Sequence, residues 1–230
     1  MNKKILIFLL IIAATVAAGI LGLDKLIYGW ARPMNAPVWK VFDAVFAFKT
    51  WFVVSGIFFA YYLVKSSNWN NVFAKNDGLC KKACKFAVKT KNNIVDFIKN
   101  INSLHGFGKI VSWMFLSVSA SGIICGISKV AAGRMRPVFY DALGITGWYP
   151  GSFDWAFNSM PSGHVAASFA ALTILATMIP RARWLAYGLA TVIGLSRIFM
   201  GAHWFSDVVA GAAIGYLLSL ILTRRLRFQF

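Results

Sequence analysis

The chain has 230 residues, of which 59% are hydrophobic and 13% are charged, about half the charged share of a soluble protein. This composition excludes an ordinary soluble domain and indicates a membrane protein. The charge is lopsided, because 24 Lys and Arg residues face seven acidic residues. Since long apolar segments separate the basic clusters, we expect the positive charge to face membrane lipids and expect no nucleic-acid partner.

Six apolar segments are predicted to cross the membrane, since a spanning helix needs about 20 mostly apolar residues. The second is short and follows an aromatic stretch at residues 38–48, whereas the other five are clear from their length. In chain order they are residues 5–23, 50–64, 110–128, 162–179, 184–200 and 204–223. The sequence therefore predicts an all-α, polytopic bundle of six transmembrane helices, with residues 1–230 forming a single membrane-embedded domain.

The first segment also has features of a signal peptide, because lysines precede its apolar run and small residues end it. The run is longer than the h-region of about 7 to 15 residues that signal peptides carry. An uncleaved anchor is therefore the favoured interpretation, and cleavage would not change the orientation of the other five segments.

Lys and Arg residues concentrate on the cytoplasmic side of a membrane. Two thirds of those in this chain fall on one side of the predicted bundle, at the amino terminus, in the loop 65–109, at residues 181 and 183, and in the carboxy-terminal tail. Both termini are therefore predicted to be cytoplasmic, in a multi-pass protein of the cell inner membrane.

The basic cytoplasmic loop 65–109 carries apolar residues at helical spacing between residues 94 and 104. This pattern favours a helix that lies on the anionic inner leaflet, and a solvated loop that serves only orientation is the alternative. Cys80, Cys84 and His105 lie in the same loop, but a fourth zinc ligand is missing, so no metal site is predicted.

Three groups of polar residues adjoin apolar segments on the predicted outer side. Lys129 and Arg136 are seven residues apart and would share a helix face if the helix continues that far. Arg197 adds a third cation at the end of the fifth segment. A charge buried within a bilayer costs free energy, and three cations brought together repel one another. An anion bound between them would reverse that repulsion.

The fourth segment opens with Ser162, Gly163 and His164, where the first backbone N–H groups of a helix lack internal partners and favour an anion. His203 and Asp207 are four residues apart, so on one helix the carboxylate can accept the imidazole N–H. A histidine held in this way has a fixed tautomer and a more basic free nitrogen, which prepares it as a nucleophile or base.

These residues resemble the three-part signature of the type 2 phosphatidic acid phosphatase superfamily (PAP2). The three parts, which span residues 129–207, are Lys129 with Arg136-Pro137, then Pro161-Ser162-Gly163-His164, then Ser196-Arg197 with His203 and Asp207. Arg134 lies within the first part but outside the signature, so it receives no role.

The resemblance implies a role for each matching residue. His203 would attack phosphorus and form a phosphohistidine, Asp207 would orient it, and His164 would protonate the leaving oxygen. The phosphoryl oxygens would be held by Lys129, Arg136, Ser162, Gly163 and Arg197. The family's chemistry requires no metal or other cofactor.

The resemblance implies an integral membrane lipid phosphatase acting at the periplasmic face on a lipid phosphate or diphosphate, with no obligate protein partner inferred. The candidate substrates are undecaprenyl diphosphate, lipid A phosphate, phosphatidylglycerophosphate and phosphatidic acid. Phosphotransferases of the same family share these residues and stay open as an alternative, as does a transporter or other non-catalytic membrane protein. Soluble vanadate haloperoxidases use a related site, but six membrane spans argue against them.

The aromatic residues of the outer loop and a pair of glycines in the sixth segment each allow two interpretations. The outer loop carries Trp148, Tyr149, Phe153 and Trp155, which fit an aromatic belt at the membrane interface better than a lipid headgroup site. Gly211 and Gly215 form a GxxxG pair, which indicates helix packing within the chain more often than dimerisation.

Overall fold

A computed structural model describes residues 3–34, 36–66 and 107–227. All regular structure in these ranges is helical except one isolated bridge between Arg134 and Trp148, so the all-α prediction is confirmed. The predicted interfacial helix at residues 94–104 and the residues Cys80, Cys84 and His105 lie outside the described ranges.

Nine α-helices lie in the described part of the chain, joined by a π-helical turn at Gly19–Leu23 and by 3-10 turns at Arg32–Met34, Trp155–Phe157 and Pro180–Ala182. In order they are α1 Lys3–Ala18, α2 Asp24–Ala31, α3 Pro37–Val45, α4 Phe48–Ser66, α5 Phe107–Ala132, α6 Pro137–Leu143, α7 Gly163–Met178, α8 Arg183–Phe199 and α9 Phe205–Arg227.

Four stretches of the described chain are long and apolar enough to cross a membrane, namely Leu6–Ala31, Pro37–Tyr62, Phe107–Ala132 and Phe205–Thr223. Helices α7 and α8 have 16 and 17 residues, or roughly 25 Å at 1.5 Å per residue, which is short of the about 30 Å hydrocarbon core. Each begins and ends within one residue of its predicted segment. The count of six spans therefore stays a prediction.

The first helical segment is longer than predicted, because it continues past residue 23 to Ala31. The prediction ended there because a charged residue follows, but Asp24 is buried and hydrogen-bonded to Arg134 and Ser206. Its charge is thus paired and the helix does not need to end. The segment kinks at Gly22, whose φ of 151° is open to glycine.

Helix α7 lies at the centre of the bundle and packs against α5, α8, α9 and α4. Gly211 and Gly215 of α9 face it so closely that a Cβ atom on either would overlap the carbonyl oxygen of Ser162 or Ala166. The glycine pair therefore packs within the chain, as the sequence favours. This contact fixes the start of α7 against the start of α9.

Candidate active site

The predicted site residues meet at one end of the bundle, where α5 and α8 end and α7 and α9 begin. A cavity of about 700 Å³ lies there. Its lining includes six of the eight predicted residues, namely Lys129, Arg136, Gly163, His164, Arg197 and His203. The other two, Ser162 and Asp207, are fully buried beside it.

His203 lies in the turn between α8 and α9 and is 2% exposed. Its backbone N–H donates to the Arg197 carbonyl at 3.3 Å, and its Nδ1 lies 2.7 Å from the carbonyl oxygen of Ser159. Because a carbonyl can only accept, Nδ1 carries the hydrogen and donates it. The lone pair of the neutral ring is therefore on Nε2.

The structure corrects the predicted contact between His203 and Asp207. Helix α9 begins at Phe205, so His203 precedes the helix instead of sharing its face with Asp207. The Nδ1 atom is 3.8 Å from Asp207 Oδ2, which is too long for a hydrogen bond. Asp207 Oδ2 instead accepts hydrogen bonds from the Trp204 backbone N–H and from the Ser159 hydroxyl. The carboxylate thus holds the segments on either side of the ring.

Lys129 and Arg136 do not share a helix face, because α5 ends at Ala132 and Gly133 turns the chain with a φ of 59°. They converge in another way, since Lys129 Nζ and Arg136 Nη2 both donate to the carbonyl oxygen of Asn158, at 2.6 and 3.2 Å. The condition for a common helix face is therefore not met, and the two cations lie close together because they share a backbone acceptor.

The guanidinium of Arg136 is fixed by further contacts. Its Nε and Nη1 atoms donate to the carbonyls of Trp155 and Ala202, and its Cζ atom lies 4.3 Å from the centre of the Trp155 ring. Burial lowers the pKa of Arg136 to about 10, so the group is still a cation at neutral pH.

The start of α7 offers donors to an anion. The first backbone N–H to bond back within this helix is that of Ala166, to the Ser162 carbonyl, so the N–H groups of residues 163–165 have no intrahelical partner. The Ser162 hydroxyl is buried and has no hydrogen-bond partner among the described residues. Helix terminus and hydroxyl together form a site suited to an oxyanion.

The charges around His203 keep its ring neutral. Burial lowers the pKa of His203 well below its ordinary value, and the positive charges of Lys129, Arg136 and Arg197 lower it further. A neutral imidazole with a free Nε2 is the form that can act as a nucleophile.

Three residues that received no role from the sequence lie at the predicted site or directly behind it. Arg134 donates from Nη1 to Asp207 Oδ1 and from Nη2 to Asp24 Oδ2, both at 2.6 Å. On α3, the carboxylate of Asp43 contacts Arg197 Nη1 and lies 3.3 Å from His164 Nε2. Asp24 and Asp43 lie within long apolar stretches, where an ionisable side chain is rare unless it is paired or functional.

The aromatic residues of the outer loop divide between two roles. Trp155 lines the cavity and stacks on Arg136, and Trp148 lies 5.1 Å from the guanidinium of Arg134. Phe153 is 85% exposed. An aromatic belt alone therefore does not describe this loop, since two of its rings contact buried arginines.

Comparison with known proteins gives a consistent result. Residues 110–230 match the sequence model of the PAP2 superfamily. The chain is 40% identical over 118 residues to a lipid A 1-phosphatase of Rhizobium johnstonii, a match that covers 48% of this chain and 47% of that protein. A lipid A 1-phosphatase of Porphyromonas gingivalis is 34% identical over 115 residues, covering 48% of this chain and 22% of the relative. The chain therefore spans about half or less of the length of these relatives.

A similar fold occurs in the crystal structure of a transmembrane PAP2 type phosphatidylglycerolphosphate phosphatase from Bacillus subtilis. The TM-score is 0.52 at 19% identity, and the match covers 99% of this chain and 97% of that one. At this identity the likeness supports the fold.

Proposed function

Because this chain belongs to the PAP2 superfamily, we propose that it is an integral membrane lipid phosphatase that acts through a phosphohistidine. The observation that carries the proposal is the shared cavity, in which His203 and His164 stand among Lys129, Arg136 and Arg197. Two histidines and three cations supply a nucleophile, an acid and a binding site for a phosphoryl group.

The first step is attack by His203 Nε2 on phosphorus. The Ser159 carbonyl holds the hydrogen on Nδ1, so the Nε2 lone pair forms the new P–N bond as the bond to the lipid oxygen breaks. Positioning of this kind accounts for much of the rate of phosphoryl transfer.

Three cations and the start of α7 would stabilise the negative charge of the transferring phosphoryl group. Lys129, Arg136 and Arg197 supply three positive charges, and Ser162 and the backbone of Gly163 supply hydrogen bonds from the start of α7. Lys129 and Arg136 are already held by backbone carbonyls, so these two cations need little reorganisation when charge develops on the phosphoryl oxygens. The proposal requires no cofactor, since the cations do what a metal ion does in other phosphoryl-transfer sites.

His164 is the proposed acid. It lines the same cavity as His203, and its protonated ring would give a proton to the leaving oxygen. The neutral ring would then take a proton from the water that breaks the P–N bond, which releases phosphate and restores both histidines.

A lipid phosphate or diphosphate is the proposed substrate, and the lipid A 1-phosphatases among the relatives support this class. Undecaprenyl diphosphate, lipid A phosphate, phosphatidylglycerophosphate and phosphatidic acid all carry the required group. The charge distribution of the sequence supports an active site at the periplasmic face of the inner membrane. We also propose that residues 1–230 form one membrane-embedded domain, with the signature at residues 129–207 and the basic cytoplasmic loop at 65–109.

Phosphate release from these four lipids by the purified protein in detergent micelles tests the proposal. We expect release from at least one lipid and none above background with His203→Ala. Asp141→Asn is the control, because Asp141 is paired with Arg32 and Tyr28 outside the cavity. Undiminished release by His203→Ala would refute the proposal, and transfer of phosphate to an acceptor lipid would indicate a phosphotransferase.

A further inference from the structure

A buried ionic network lies behind the cavity and connects the first helices of the chain to Asp207. Asp24, Arg134 and Asp207 are each at most 7% exposed. None of the three lines the reaction cavity. Asp24 also lies outside the residues that match the family, which begin at residue 110.

Arg134 holds two carboxylates at once. Its Nη2 donates to Asp24, and its Nη1 donates to Asp207 and to the Ser206 hydroxyl, each at 2.6 Å. The guanidinium carbon of Arg134 also lies 5.6 Å from the centre of the Trp204 ring. A planar fork with donors on both arms can pair with two partners in fixed directions, which a lysine ammonium does not do.

Asp24 reaches this network from the first membrane segment. Its Oδ1 accepts the backbone N–H of Ser206 at 2.8 Å, and its Oδ2 accepts the Ser206 hydroxyl at 2.6 Å. The close approach depends on Gly19, where a Cβ atom would overlap the Cβ of Ser206. The Asp24 carboxylate of α2 therefore caps the start of α9, at the backbone N–H of Ser206.

Arg134 also holds Asp207 and Ser159, the two residues that fix the position of His203. Arg134 donates to Asp207 Oδ1, and the other carboxylate oxygen, Oδ2, accepts from the Ser159 hydroxyl and from the Trp204 backbone N–H. The Arg134 carbonyl accepts the Ser159 N–H at 3.0 Å, and the Ser159 carbonyl sets the tautomer of His203. Side chain and backbone of Arg134 thus converge on the two groups that hold the nucleophile.

We propose that Asp24 and Arg134 are positioning residues for His203, so that the first membrane segment completes the active site. The proposal rests on the proposed function, since it assigns these residues to the same phosphoryl transfer. They act through Asp207 and Ser159 and touch neither substrate nor cations of the cavity. Their loss should therefore slow the chemical step and leave phosphate binding unchanged.

The test uses the full chain in detergent micelles. The substrate is whichever of the four candidate lipids the wild-type protein hydrolyses fastest, and orthovanadate is the phosphate-like inhibitor. Asp24→Asn keeps the shape and removes the charge, and Arg134→Lys keeps the charge and removes the fork. We expect either change to lower kcat by about 10²-fold, as a displacement of about 1 Å can do. The KM and the vanadate inhibition constant should not change.

Asp141→Asn is the matched control, because Asp141 also ties α2 to another helix, through Tyr28 and Arg32. Its kcat should equal that of the wild type. A folded Asp24→Asn protein with wild-type kcat, or a change in KM alone, would overturn the proposal. If Asp24→Asn does not fold, Ser206→Ala is measured in its place, since it removes only one hydroxyl of the network. A wild-type kcat for Ser206→Ala would also overturn the proposal.

Failure of the proposed function gives a different pattern. In that case the wild-type protein releases no phosphate, or His203→Ala releases as much as the wild type. An active wild type, an inactive His203→Ala and an Asp24→Asn protein equal to Asp141→Asn would reject the positioning role alone.

Discussion

The reactivity proposed for His203 follows from one backbone contact and from the burial of its ring. The carbonyl of Ser159 fixes the hydrogen on Nδ1, and burial among cations keeps the ring neutral. Asp207, which the sequence places four residues away, acts on the surrounding turn and not on the ring nitrogen. In the proposed mechanism Asp207 therefore orients His203, as the motif implies, but through a different set of hydrogen bonds.

Asp43 is the residue whose charge is hardest to reconcile with a bound phosphate. Its carboxylate contacts Arg197 and faces His164 Nε2, where a phosphoryl oxygen would compete for the same guanidinium. Two anions beside one cation repel each other. Asp43 is therefore expected to oppose anion binding and to leave the cation when a phosphoryl group arrives.

Replacing Asp43 with asparagine should strengthen the binding of phosphate-like anions, because the competing charge is removed. We expect the inhibition constant for orthovanadate to fall by about tenfold, or about 1.4 kcal/mol. Steady-state inhibition of the purified protein measures it, with Asp141→Asn as the control. An unchanged or higher inhibition constant would show that Asp43 does not compete with the anion.

At the scale of elements, the contact between α7 and α9 sets the geometry of the site. Helix α7 contributes Ser162, Gly163 and His164 at its first residues, and α9 follows His203 directly. Gly211 packs so closely against Ser162 that a Cβ atom on Gly211 would overlap the Ser162 carbonyl oxygen. The spacing between the proposed anion-binding groups and the proposed nucleophile therefore depends on Gly211, which has no chemical role of its own.

Gly211→Ala should destabilise the protein and lower its activity, because the added methyl group forces α9 away from the start of α7. Overpacking of this kind costs about 1–3 kcal/mol. The midpoint of thermal unfolding in detergent measures the effect. Gly188→Ala in α8 is the control, since its Cβ would meet nothing within 4 Å, and equal midpoints for the two variants would contradict the prediction.

At the scale of the whole molecule, the sequence predicts the helical class and the family, and it places the third and sixth apolar segments within four residues of the helical stretches that match them. Hydropathy suffices for the apolar helices because apolar length is a local property, and the family follows from the spacing of the signature residues. The boundary at residue 23 is wrong because the partner of Asp24 is Arg134, 110 residues away. Hydropathy contains no information about such pairing.

The same limit applies to the candidate site. The signature residues can be named from their spacing, and six of the eight line one cavity. The contributions of Asp24, Asp43 and Arg134 depend on tertiary contacts between the first helices and the rest of the bundle. A motif confined to residues 129–207 cannot include the first two of them.

Trapping the phosphoenzyme tests the proposed mechanism most directly. Purified protein is mixed with a radiolabelled lipid phosphate, quenched rapidly in alkali, digested, and the labelled residue and ring nitrogen are identified. We predict label on Nε2 of His203, none with His203→Ala, and retained label with His164→Ala when the substrate has a good leaving group. Label on another residue or on Nδ1, or phosphate release without any phosphohistidine, would contradict it.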